Sequence, residues 1–155
     1  MVPSSSAARR PGGRVLAIDY GRRRLGLAVS DELGLLARPL ATLERTNRRS
    51  DLQKLSRILG KNGVGLIVVG LPLRMDGTAG GMAEEARAFA AKLAKAAGLP
   101  VEMADERLTS WEAEENFPRN ASAAAKRRGE IDQGAAVLIL EEYLRGERGR
   151  GQRRK

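Results

Sequence analysis

Apolar residues recur in this chain with two rhythms, and the order of those rhythms predicts an α/β domain. Val15–Ile18 and Leu66–Val69 are unbroken apolar runs. A strand without alternation is covered on both faces, so both runs belong near the middle of a sheet. The first strand spans about Arg14–Tyr20, and a short turn at Gly21–Arg23 leads antiparallel into a second, Leu25–Ser30. Asp31–Gly34 turns the chain again, and Leu35–Leu43 returns as a third strand that Pro39 confines to the sheet edge. The rhythm then becomes helical. Leu52, Leu55, Ile58 and Leu59 share one face of a helix over about Asp51–Gly60, with Ser50 as its N-cap and Gly60 and Gly63 as its stop. Leu66–Val69 is the fourth strand, Met82–Ala97 an alanine-rich helix that closes at Gly98, and Val101–Asp105 the fifth strand. Thr109 or Ser110 caps a short helix ending near Pro118, and Ile131–Leu144 is the last helix.

Two hairpin links followed by two helical crossovers make the second strand antiparallel and the first, fourth and fifth parallel. Right-handed crossovers then favour the sheet order 3-2-1-4-5, with helices on both faces. That is a three-layer, ribonuclease-H-like topology. One domain over residues 14–144 accounts for all of it, between tails at 1–13 and 145–155.

Composition excludes several classes. No apolar run reaches the length of a membrane span, and the N-terminus has no signal-peptide core, so the expected location is cytoplasmic. The 155 residues include no cysteine and no histidine, which removes disulfides, thiolate zinc sites, imidazole bases and imidazole ligands. Any metal must be held by oxygen, which points to magnesium or manganese. The net charge of +9 is unevenly spread: residues 14–144 carry 20 basic and 18 acidic side chains, and the flanks carry 8 and 1. Interspersed with glycine and serine, both basic tails read as disordered arms that add salt-sensitive attraction to nucleic acid. Solubility alone would also explain them.

Three acidic points converge in this topology. Asp19 ends the first strand, Asp105 and Glu106 end the fifth on the same side, and open sheets bind ligands beyond the carboxyl ends of their strands. A single acid there is ordinarily a solvated cap. Asp132 adds weight, because it falls on the same helical face as Ala135, Ala136, Ile139, Leu140 and Tyr143. A carboxylate on an apolar stripe costs several kcal/mol unless a positive charge compensates it. Its position in a first helical turn explains an acid, through the helix dipole, but not one on the inward face. Separate carboxylates without histidine suit a pair of magnesium ions of the kind used in phosphodiester hydrolysis.

With these residues in place, the chain resembles the YqgF family, also called RuvX. These are bacterial ribonuclease-H-like proteins regarded as Holliday-junction-resolvase-like and described as nucleases that process the 5′ end of pre-16S ribosomal RNA. The resemblance runs from about Arg14 to Leu144. It rests on Ala17–Gly21 with Leu25–Ala28, on Val69–Thr78, on Asp105–Thr109 and on Ile131–Leu140, four motifs in order. Arg74 stands where the family commonly has Asn, and Arg23 where it commonly has Lys; both keep or add positive charge. The resemblance implies Asp19, Glu106 and Asp132 as catalytic carboxylates and as ligands of Mg2+ or Mn2+. Asp105 is the alternative to Glu106, since strand alternation aims only one of the two at the metal.

Phosphate-binding candidates surround those acids. Arg22 and Arg23 lie in the first hairpin turn, where alternation sends Arg22 and Arg24 one way and Arg23 the other. Arg74 lies in the loop after the fourth strand, Arg107 follows Glu106, and Lys126 and Arg127 precede Asp132. Simple solvation accounts for each of these taken alone. The expected function is a metal-dependent nuclease on pre-16S rRNA, acting as monomer or homodimer without a membrane. A resolvase of branched DNA and a non-catalytic assembly factor that binds nucleic acid are the alternatives.

Overall fold

The computed structural model describes residues 13–70, 80–104 and 130–153. Its elements are β1 (Arg14–Asp19), β2 (Arg24–Ser30), β3 (Ala37–Glu44), α1 (Arg48–Lys61), β4 (Val64–Gly70), α2 (Gly80–Ala97), β5 (Val101–Met103) and α3 (Glu130–Arg153). The five strands form one sheet in the order β3-β2-β1-β4-β5. β1 pairs antiparallel with β2 and parallel with β4, and β5 is parallel to β4. The expected topology is therefore the observed one.

Alternation along β1 divides the core into two layers. Leu16, Ile18 and Tyr20 pack with Leu55 and Leu59 of α1 and with Ala86, Phe89, Ala90 and Leu93 of α2. Val15 and Ala17 face the other way, against Ala136, Ile139, Leu140 and Leu144 of α3. β1 and β4 are apolar on both faces because both faces carry helices, which is what their unbroken runs encode. Each fully buried Leu or Ile adds about 1.5–3 kcal/mol of burial energy. Ser30 is buried as well, and its hydroxyl is used twice: it accepts from Val15 N–H at 2.9 Å and donates to the Asp31 carbonyl at 2.9 Å.

Several boundaries differ from the sequence expectation. Asn47, not Ser50, caps α1: its side chain accepts from Ser50 N–H at 2.9 Å, so the helix starts three residues earlier than expected. Gly60 lies within α1, which closes at Asn62 and passes into Gly63 at φ 62°. β3 starts at Ala37 because the Asp31 carboxylate accepts Leu35 N–H at 2.7 Å and Leu36 N–H at 3.1 Å, holding both residues in the turn. β5 ends at Met103 rather than Asp105. α3 starts at Glu130 and runs to Arg153, so residues 145–153 are helical where a disordered tail was expected. Arg145 bonds Glu142 one turn back at 2.9 Å, a spacing that supports continued helix. The short helix expected over 109–118, and residues 1–12 of the N-terminal tail, lie outside the described residues.

The turn from β1 to β2 is held from beneath. A Cβ at position 21 would stand 2.6 Å from the Arg24 carbonyl oxygen, so only glycine fits there. Arg45, just past β3, donates through its backbone N–H to the Arg23 carbonyl at 2.8 Å and through its guanidinium to the Gly21 carbonyl at 3.1 Å. The same guanidinium lies 5.1 Å from the ring centroids of both Tyr20 and Phe89 and pairs with Asp51 at 3.1 Å. Asp51 is 1% exposed, and its second oxygen accepts Thr46 N–H at 3.0 Å. Burial pulls the Arg45 pKa down, but the attraction of Tyr20 and Asp51 outweighs it, and the guanidinium is held above its ordinary value.

The clamp sets the expected stability of three variants. Gly21→Ala forces the turn away from Arg24 and should cost about 1–3 kcal/mol in urea unfolding. Arg45→Ala leaves the Asp51 carboxylate buried without its cation and should cost about 3 kcal/mol. The double variant Arg45→Ala/Asp51→Ala should be less destabilised than the sum of the singles, by about 1–3 kcal/mol in a double-mutant cycle. Additive losses would show that the pair does not act as a unit.

Candidate functional site

Asp19 is the last residue of β1 and is 5% exposed. It is in register with Gly26 of β2 and Gly70 of β4, so no Cβ projects from either neighbour beside it. By alternation its side chain is on the face of Val15 and Ala17, the layer that α3 covers. Tyr20 N–H then bonds the Gly70 carbonyl at 2.8 Å, which keeps β1 fastened to β4 right up to the turn.

Three other points of the chain reach the same edge. A Cβ at Gly70 would stand 2.7 Å from Cδ1 of Ile139 and 3.4 Å from the Ala104 Cβ, so α3 and the end of β5 crowd onto the strand end beside Asp19. Ala104 N–H donates to the Val69 carbonyl at 2.8 Å, carrying the chain along β4 to the residue before Asp105. One helical turn after Ile139, the Tyr143 hydroxyl donates to Glu102 at 2.9 Å, and Glu102 is in register with Val68. From Ile139 to Tyr143 the helix therefore descends toward the amino ends of the strands. Its first turn, which contains position 132, lies on the carboxyl side. Position 132 precedes the buried series Ala136, Leu140 and Leu144 by one more step of four.

Of the carboxylates expected from sequence, the described structure places Asp19 in full and Asp132 by its backbone position in α3. Asp105, Glu106, Arg74, Arg107, Lys126 and Arg127 lie outside the described residues. The donor chemistry fits a hard divalent cation. Asp19 offers carboxylate oxygen in a shielded position, and the chain has no histidine or cysteine to form a softer site. Among the described residues no cluster of three potential metal ligands occurs.

The arginine turn is more differentiated than its sequence suggests. Arg22 makes a two-point contact with Glu85 of α2, Nε to Oε1 at 3.0 Å and Nη2 to Oε2 at 2.7 Å. That pairing raises the Arg22 pKa and lowers that of Glu85. With its folded pKa depressed, Glu85 keeps the pair charged above the ordinary carboxylate range and releases Arg22 only as pH falls through the lowered value. Arg23 and Arg24 are exposed. Sequence reasoning missed both Glu85 and Arg45. Arg45 carried a usable signal, a cation at the end of an edge strand with an acid six residues later, but nothing local marks that acid as buried.

No helix among the described residues is long and apolar enough to cross a membrane. The chain matches a family model described as RuvX, Holliday junction resolvase, over residues 13–146. A protein of Koribacter versatilis named "Putative pre-16S rRNA nuclease" is 50% identical over 133 residues, covering 85% of this chain and 86% of the relative. A protein of the same name from Anaeromyxobacter sp. is 45% identical, covering 86% of this chain and 97% of the relative. Among solved structures, T. thermophilus RuvC in complex with a Holliday junction substrate superposes with a TM-score of 0.53 at 18% identity, covering 88% of this chain and 96% of that one. That likeness extends to the fold, which is ribonuclease-H-like. With the family model spanning nearly the whole described domain, this chain belongs to the RuvX family.

Proposed function

We propose that this protein is a nuclease that hydrolyses phosphodiester bonds, with the 5′ end of pre-16S rRNA as its substrate in the cytoplasm. The observation that carries the proposal is the shielded Asp19 carboxylate at the end of the central strand, beside the strand end of β4 onto which Ala104 and Ile139 of α3 pack. Family membership and the names of relatives at 50% and 45% identity support the reaction class. Asp19, Glu106 and Asp132 would hold the divalent ion, magnesium or manganese, and Asp105 is the alternative to Glu106. A bound ion would supply charge neutralisation at the phosphate and activation of water.

The chain's own residues divide the remaining work. Asp19 is held in one place by pairing on both sides of β1 and by the turn that Arg45 fastens, so its oxygens need little reorganisation when substrate arrives. Exposed Arg23 is the phosphate clamp at that turn, contributing position without sequence preference. Arg22 serves the same role in part, since its side chain remains 61% exposed while engaging Glu85. Arg74, Arg107, Lys126 and Arg127 would extend the positive surface along the substrate.

Asp19→Asn removes the anchoring charge with almost no change of shape. Cleavage should fall by roughly 10³-fold, the rate equivalent of several kcal/mol, with RNA affinity nearly unchanged. The assay is incubation of a precursor rRNA leader and a four-way DNA junction with wild type and variant, in magnesium and in EDTA. Cleavage of the leader only by wild type and only with magnesium is the expected result. Preferential cleavage of the junction would transfer the proposal to branched DNA, and equal activity of variant and wild type would remove Asp19 from the mechanism. Glu85→Gln should tighten RNA binding severalfold at low salt, because Arg22 then has no carboxylate to satisfy; unchanged affinity would show that Arg22 does not reach the RNA.

A further inference from the structure

On the opposite layer from α3, helices α1 and α2 leave a shallow groove between them. Arg48, Arg49 and Arg57 of α1 and Lys92 and Lys95 of α2 line it, together with Leu52 and Ala96. All five cations are exposed. Among the described residues no carboxylate lines the groove. The acid in the first turn of α1, Asp51, is turned inward onto Arg45, and Glu85 lies toward the start of α2, on Arg22. Five like charges along one trough repel each other, and an anionic polymer relieves that repulsion.

We infer that this groove is a second phosphate-backbone site, which holds RNA flanking the segment that reaches Asp19. The inference rests on the nuclease reading for its choice of RNA. The path between the two sites is short: Arg45 N–H bonds the Arg23 carbonyl, and α1 begins with Arg48 three residues later. Exposed Arg23 at the β1–β2 turn and exposed Arg48 at the start of α1 are thus joined through the short segment that Arg45 anchors. Among the described residues its lining contains no aromatic side chain, so the grip is on phosphates and not on stacked bases. Its apolar lining is confined to half-buried Leu52 and the Ala96 methyl, too little apolar surface for insertion into a membrane.

The test is the quadruple variant Arg49→Ala/Arg57→Ala/Lys92→Ala/Lys95→Ala, all at exposed helical positions where alanine preserves the helix. Binding of a long leader RNA and of a short RNA spanning only the cleavage point is measured by fluorescence anisotropy in EDTA across a salt series. The long RNA should bind about tenfold or more weakly at low salt, with the slope of log affinity against log salt reduced by about 2–3. The short RNA should bind as it does to wild type. Arg38→Ala, on the edge strand, should change the slope far less per charge removed. An unchanged slope, equal loss for both RNAs, or wild type that fails to bind the long RNA would overturn the inference. So would loss of binding to phosphatidylserine–phosphatidylcholine vesicles with RNA affinity intact. Because binding is read without metal, absence of cleavage in a parallel magnesium assay counts against the nuclease reading alone.

Discussion

Placing a carboxylate at the end of an apolar strand is the demand that organises this protein. Asp19 is 5% exposed, and a charged group so shielded costs several kcal/mol unless its surroundings compensate. The sheet meets the structural half of that demand. β1 is paired on both sides, glycine is its register partner on both sides, and a layer of helix covers each face. A side chain at the end of such a strand has a fixed origin and direction. For a group that must bind charge in a defined place, rigidity of this kind is worth more than exposure.

The turn that follows cannot wander either. Arg45 is bonded to Gly21 and Arg23 above, to Asp51 beside it, and lies over two aromatic rings below. A buried ion pair seldom adds much net stability over an apolar replacement, because desolvation offsets most of the Coulombic gain. Its contribution here is positional. A leucine at 45 could fill the space over Tyr20 and Phe89, but it could not donate to the Gly21 carbonyl and so would leave the β1–β2 turn one tie short. Arg22, paired outward with Glu85, ties the same turn to α2 from the other side. Of three arginines that look equivalent in sequence, Arg22 is thus set apart by its carboxylate partner, while Arg23 and Arg24 are exposed at the turn.

Much of the fold was legible because burial on both faces leaves an unbroken apolar run, and β1 and β4 carry such runs. Pro39 marked the edge strand correctly, and the hairpin-then-crossover order gave the sheet order. What failed was local competition. Asn47 and Ser50 are both good caps, and only the geometry of the chain leaving β3 decides that Asn47 takes the role. Leu35 and Leu36 look like strand residues, yet two backbone bonds to Asp31 hold them in a turn. Gly146, Gly149 and Gly151 suggested a disordered tail, whereas α3 continues through them to Arg153. Asp19 could be named from its position in the strand pattern. Glu85 could not, because its partner comes from an element whose packing no local pattern states, and the signal at Arg45 lacked any mark that Asp51 is buried.

The two helical layers therefore carry different tasks. The α3 layer packs Ile139 onto the strand end beside Asp19, and the α1–α2 layer presents the basic surface. The most direct measurement of the account is the anomalous scattering of manganese in crystals of the protein soaked with that ion. The account predicts a peak against the Asp19 carboxylate, with Asp132 and one of Asp105 and Glu106 turned toward it. Crystals in which Asp19 has no ion beside it, and in which Asp132 stands remote from it, would contradict the account at its root.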